Sequence, residues 1–165
     1  MIEELKRFIE ALREELQHYG EMLGLLDRQQ ELVVIRAADE ILQTVSAINA
    51  QSASIQSARQ HRQHRIGELA RTLRRPDDIT CKDLIPLLPE DYRPLVRALV
   101  EENNELLMRV QQRARQNHLL LSRSVDLMQR FIATLIPSEK LTRYNEAGTV
   151  STPVLPNRAM FEAVG

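Results

Sequence analysis

The sequence predicts an all-α protein: an elongated antiparallel three-helix bundle or coiled coil with a mobile C-terminal tail. Three observations carry this. Leu, Ala, Glu, Gln and Arg dominate, all strong helix formers, while glycine is scarce and tryptophan absent. Large apolar residues recur at alternating steps of three and four over three long stretches. Past Ile136 that pattern stops at Pro137, and the apolar residues that follow are isolated.

The first helix is expected over residues 2–35. Ile2, Leu5, Ile9, Leu12, Leu16, Tyr19, Leu23 and Leu26 form its seam, while Glu3, Glu4, Glu10, Glu14 and Glu15 are read as lying off it. Gly20 and Gly24 each cost roughly 1 kcal/mol of helix stability against alanine and mark a place for a bend. A tight turn is placed at 36–38, with Asp39 as the N-cap of the second helix. One unbroken helix as far as Arg75 is the alternative. The second helix, 39–75, carries Ile41, Ile48, Ile55 and Leu69 in one seven-residue row. Val45, Ile66 and Leu73 lie in another. Its middle, NAQSASIQSARQHRQHR, is thin in large apolar residues and packs weakly.

Pro76 closes that helix. In the linker, 76–90, Thr80 and Asp83 form a capping box for a helical turn over 84–88. Asp91 or Arg93 opens the third helix, with Pro94 in its first turn, and it runs to 136. Val100, Leu107, Ala114, Leu121, Met128 and Leu135 recur on it every seven residues. The bundle domain is thus 1–136 and the tail 137–165.

The third helix is too long for its neighbours. At ~1.5 Å per residue the first two helices span roughly 50–55 Å and the third roughly 65 Å. Antiparallel pairing of the second and third helices sets position i against roughly position 165 minus i. Leu127, Met128, Phe131, Ile132, Leu135 and Ile136 then overhang the bundle. An apolar overhang either folds back or binds something else. The same register sets Arg62 near Glu102 or Glu105. The arginines around His61 and His64 therefore read as an internally paired, solvated face, not a nucleic-acid patch. A net charge of −1 and the lack of interleaved aromatics agree.

Little in the chain suggests chemistry. His61 and His64 have a metal-compatible spacing but no nearby third ligand in sequence. Cys81 stands alone in a linker, which excludes an internal disulfide and suits a reducing compartment. There is no phosphate loop and no nucleophile motif. The expectation is a non-enzyme without cofactor or metal, cytoplasmic, with no signal peptide and no membrane insertion. In the tail, Tyr144 and the pair Met160–Phe161 are candidate anchors for a partner.

Three stretches resemble the FlgN family of flagellar type III export chaperones, across roughly residues 5–150. RQQELVVIRAADEIL is similar to that family's Gln-rich run, turn and helix-opening Asp. In NHLLLSRSVDLMQRFIATL, residues Asn117, Leu120, Leu121 and Ser124 fit its Asn-x-x-Leu-Leu-x-x-Ser pattern. RYNEAG fits its Tyr-x-x-x-Gly ending through Tyr144 and Gly148. The end, 150–165, departs from shorter members.

The resemblance implies a chaperone without ATPase activity. It would hold hook–filament junction subunits of the FlgK and FlgL type, prevent their premature association and deliver them to the export gate. It implies client binding by the C-terminal helical part, Leu119–Ile136, and gate docking through Tyr144. The residues supply a compatible mechanism, helix-in-groove capture of the subunits' C-terminal amphipathic helices. The anchors are Leu127, Met128, Phe131, Ile132 and Leu135, with Leu121 behind them. The free protein is expected to be a monomer or weak dimer. The rival reading is a structural coiled-coil adaptor that self-associates through the same seams.

Overall fold

A computed structural model of the chain describes residues 1–135, apart from the side chains of Ala133 and Leu135. Ile136 and the expected tail, 137–165, with Tyr144, Gly148, Met160 and Phe161, lie outside the described residues. Four α-helices follow in order: α1 (Ile2–Val34), α2 (Ala38–Thr72), α3 (Cys81–Leu84) and α4 (Arg93–Leu135), with 3₁₀ turns at Ile85–Leu87 and Glu90–Tyr92. Among the described residues there is no strand, and the all-α expectation holds. The chain forms two compact units, Met1–Arg123 and Ser124–Gly165. The described part of the second is helical throughout.

In the first unit α1 is flanked by α2 and α4. The α1–α2 pair is antiparallel: His18 meets Gln51 at 3.1 Å and Glu14 meets His61 at 2.9 Å. The α1–α4 pair is parallel. Asn103 donates to the carbonyl of Leu12 at 3.0 Å, and Asn117 to that of Leu26 at 2.7 Å; both partners lie 91 residues apart. The main core gathers where α1 begins, α2 ends and α4 begins. Leu5, Phe8, Ile9 and Leu12 pack there with Ile66, Leu69, Leu84, Leu88, Val96 and Leu99. Toward the α1–α2 turn the packing thins. Between Ala38 and Ser57 only Thr44 of α2 is buried, as its small polar residues dictate.

Several boundaries differ from expectation for identifiable reasons. The α1–α2 turn is closed by backbone, not by Asp39. Arg36 takes a left-handed conformation (φ 59°), Ala37 N–H donates to Leu32 and Arg36 N–H to Val33. This is a Schellman closure with arginine where glycine is usual. Ala37 is the N-cap of α2, and Asp39 sits in its first turn, where a carboxylate favours the helix dipole. α2 ends at Thr72, before Pro76, through the same motif at Arg74 (φ 54°), with Arg75 N–H donating to Ala70. Thr80 and Asp83 meet as expected, with one arm of the box changed: Asp83 N–H donates to Thr80 Oγ1 at 3.2 Å, while the Asp83 carboxylate accepts from the Thr80 hydroxyl at 2.6 Å. It caps α3, slightly earlier than the expected turn.

α1 is continuous through Gly20 and Gly24. A Cβ at either would meet nothing within 4 Å. Gly20→Ala and Gly24→Ala should each therefore stabilise the protein by about 1 kcal/mol, read as a rise in the urea midpoint.

Candidate functional site: an uncovered apolar face on α4

The second unit's helical segment carries its large apolar residues on the outside. Leu127 is 67% exposed, Met128 60%, Phe131 59% and Ile132 49%. Spaced i, i+1, i+4 and i+5, they share one helix face as two adjacent i, i+4 pairs. Leucine, methionine and a single phenylalanine keep the stretch helical while giving it a deformable apolar surface. Thr134 ties back into the helix, donating to the carbonyls of Arg130 and Phe131 at 2.9 and 2.8 Å. Exposure of a contiguous face of this kind marks an interaction surface more often than chance scatter does. Of the expected anchors, Leu121 belongs to the first unit and is half-buried. The Leu135 side chain and Tyr144 lie outside the described residues.

The first unit contains a buried polar cluster that periodicity did not suggest. Glu15, expected off the seam, is 2% exposed. The Tyr19 hydroxyl donates to its Oε1 at 2.8 Å, and Arg62 Nε stands 2.9 Å from its Oε2 without hydrogen-bond alignment. Arg59 approaches at 3.9 Å. Arg59 and Arg62 are thus paired internally, but with Glu15 of α1, not with Glu102 or Glu105 as expected, while Arg65 pairs with Glu68 and Arg71 with Asp77. α1, not α4, lies against this face of α2. His61 contacts Glu14 and His64 lies 3.7 Å from Glu68. Burial pushes the Cys81 thiol up, against thiolate formation. Among the described residues no three His, Cys, Asp or Glu side chains gather as a metal site.

Burial and the hydrogen bond to Glu15 push the Tyr19 hydroxyl up to about 12. Its neutral form is favoured in the fold, so the unfolded chain loses this proton first, near pH 10. Stability linked to Tyr19 is complete below pH 10 and is lost between about pH 10 and 12. Thermal midpoints measured from pH 9 to 12 should fall more steeply for the wild type than for Tyr19→Phe. Equal slopes would assign the alkaline loss to other groups.

Two asparagines add polar contacts to the seam. Asn103 and Asn117 are buried, and the Oδ1 of each has no protein partner. Asn103 escaped the sequence reading, although an asparagine seven residues after Val96 and seven before Val110 interrupts an apolar row. Asn117 stands out in the sequence only through the family pattern.

Fold and surface define a class: an all-α bundle with an apolar face left uncovered on one helix. The family model described as FlgN protein matches residues 1–152, and the chain belongs to the FlgN family. That is a family of flagellar export chaperones, not of enzymes. No curated protein and no solved structure matches the chain. No helix among the described residues is long and apolar enough to cross a membrane.

Proposed function

We propose that the protein holds flagellar hook-associated subunits of the FlgK and FlgL type by their C-terminal amphipathic helices and delivers them to the type III export gate from the cytoplasm. The observation that carries this is the exposed face of Leu127, Met128, Phe131 and Ile132. Within Met1–Arg123 the α1–α4 alignment is regular, with both Asn103–Leu12 and Asn117–Leu26 at an offset of 91 residues. A client helix laid on that face gains burial worth about 1.5–3 kcal/mol per large side chain. Leu121 and Leu135 join the proposed anchors through the sequence alone, where they share a seven-residue row with Met128.

In this reading residues 1–136 are the holding domain and 137–165 the delivery tail, with Tyr144 docking at the gate. Tyr144→Ala should leave capture of the client helix unchanged in a pull-down and lower binding to the gate component. Loss of capture in that variant would place Tyr144 in the holding site instead. Sedimentation separates the adaptor reading: a holder is a monomer or weak dimer that forms a defined complex with a client helix. A stable homodimer that Phe131→Asp dissociates would replace the chaperone reading by self-association.

A further inference from the structure

Away from the main core, α1 and α4 are joined by polar contacts. Asn117 donates from Nδ2 to Gln29 Oε1 at 3.1 Å as well as to the Leu26 carbonyl, and both side chains are buried. One turn earlier on α4, Arg113 reaches Asp27 at 2.7 Å and donates to Gln30. We infer that this Gln29–Asn117 layer, backed by Arg113–Asp27, is the register lock that fixes how far α4 advances along α1.

A seam of interchangeable leucines and valines tolerates a slip of one heptad, because each apolar residue meets another of its kind. Backbone carbonyls do not oppose the slip either, since every turn of α1 presents one. Matched side chains do. Moved by seven residues one way, Asn117 would meet the level of Met22, and Gln29 the level of Ser124. Moved the other way, Asn117 would meet the level of Arg36, and Gln29 that of Val110. In either slipped state the pair is broken. The layer is not fully satisfied: Asn117 leaves Oδ1 without a protein partner. Polar side chains kept inside a seam at the expense of stability, where a valine would continue the row of Val96 and Val110, specify one alignment against its neighbours. The layer also lies where α2 buries little, so apolar packing does least there to hold the alignment.

The functional consequence rests on the proposed client face. The lock fixes the alignment of α1 with α4 inside Met1–Arg123, so Gln29 and Asn117 are positioning residues for the holding domain without touching the client. The test uses the full chain with Cys81→Ser and spin labels on cysteines replacing Gln17 and Leu119, both exposed in the first unit. Distances between labels should show one population. In the added Gln29→Leu/Asn117→Val background a second population should appear, displaced by roughly 10 Å along the helix axis, one heptad of rise. The thermal midpoint should rise by roughly 3–8 °C, while capture of a client helix falls about tenfold. A single unchanged distance would overturn the inference, whatever happens to capture. Mixed registers with undiminished capture would overturn the positioning role. Should the double variant aggregate, Asn117→Val alone is read by the same distances with the same two outcomes. The client face itself is judged separately, by Phe131→Asp.

Discussion

Phe131→Asp should abolish client capture while the protein keeps its helicity and its melting temperature. Phe131 is the largest side chain on the exposed face and stands i+4 from Leu127. Removing its ring from an interface forfeits about 2–3 kcal/mol of burial. A carboxylate put in its place adds a desolvation cost of similar size if the client still docks. Together they weaken binding by roughly a thousand- to twenty-thousand-fold. The fold is indifferent because the ring packs against little in the free chain, and surface substitutions there shift stability by about 0.5 kcal/mol or less. Circular dichroism and a thermal melt establish the fold; calorimetry with a client helix reads the affinity. Unchanged affinity would put the holding site elsewhere. A collapse of the melt would mean that Phe131 serves the chain's own packing.

Glu15→Ala has the largest effect on stability. Its carboxylate is buried between the Tyr19 hydroxyl and the Arg62 guanidinium. Alanine leaves a buried hydroxyl without an acceptor, an arginine without its counter-charge, and a small void. Breaking a buried pair typically costs 3–5 kcal/mol. Arg62 keeps a quarter of its side chain in solvent and can turn outward, which lowers the expectation to about 2–4 kcal/mol. Urea unfolding should show the midpoint drop with an unchanged slope. The triple replacement Glu15→Leu, Tyr19→Phe, Arg62→Leu should recover most of the loss, since an apolar layer of similar volume leaves nothing unpaired. A Glu15→Ala midpoint within error of wild type would show that solvent reaches the carboxylate freely.

What the sequence made legible follows from periodicity and local chemistry. The three long helices, the Thr80–Asp83 box, the opening of α4 near Pro94 and the exposed residues after Val125 all rest on spacing or on one side chain meeting its own backbone. The misreadings share a different cause. Asp39 is a good N-cap by residue type, but the turn is closed by backbone hydrogen bonds around a left-handed Arg36, which no residue preference announces. Glu15 reads as a solvated face residue until the antiparallel α1–α2 alignment brings Arg62 over it. An α2–α4 register sets Arg62 against α4 carboxylates, but in the fold the α1 carboxylate of Glu15 lies against it. Such partners depend on which helices are neighbours, and heptads leave that open. The i, i+4 pair Glu15–Tyr19 was the available hint, since a tyrosine on a seam needs an acceptor for its hydroxyl.

Methyl-resolved NMR of the full chain shows whether a client helix lies along the exposed face of α4. On adding the C-terminal helix of a hook-associated subunit, the methyl groups of Leu127, Met128 and Ile132 should shift and broaden together, with contacts from the Phe131 ring to the added helix. Those of Leu5, Leu12, Leu69 and Leu84 should stay in place. Shifts confined to the first unit's core, or a client that binds with the Leu127–Ile132 signals unmoved, would put the holding site elsewhere.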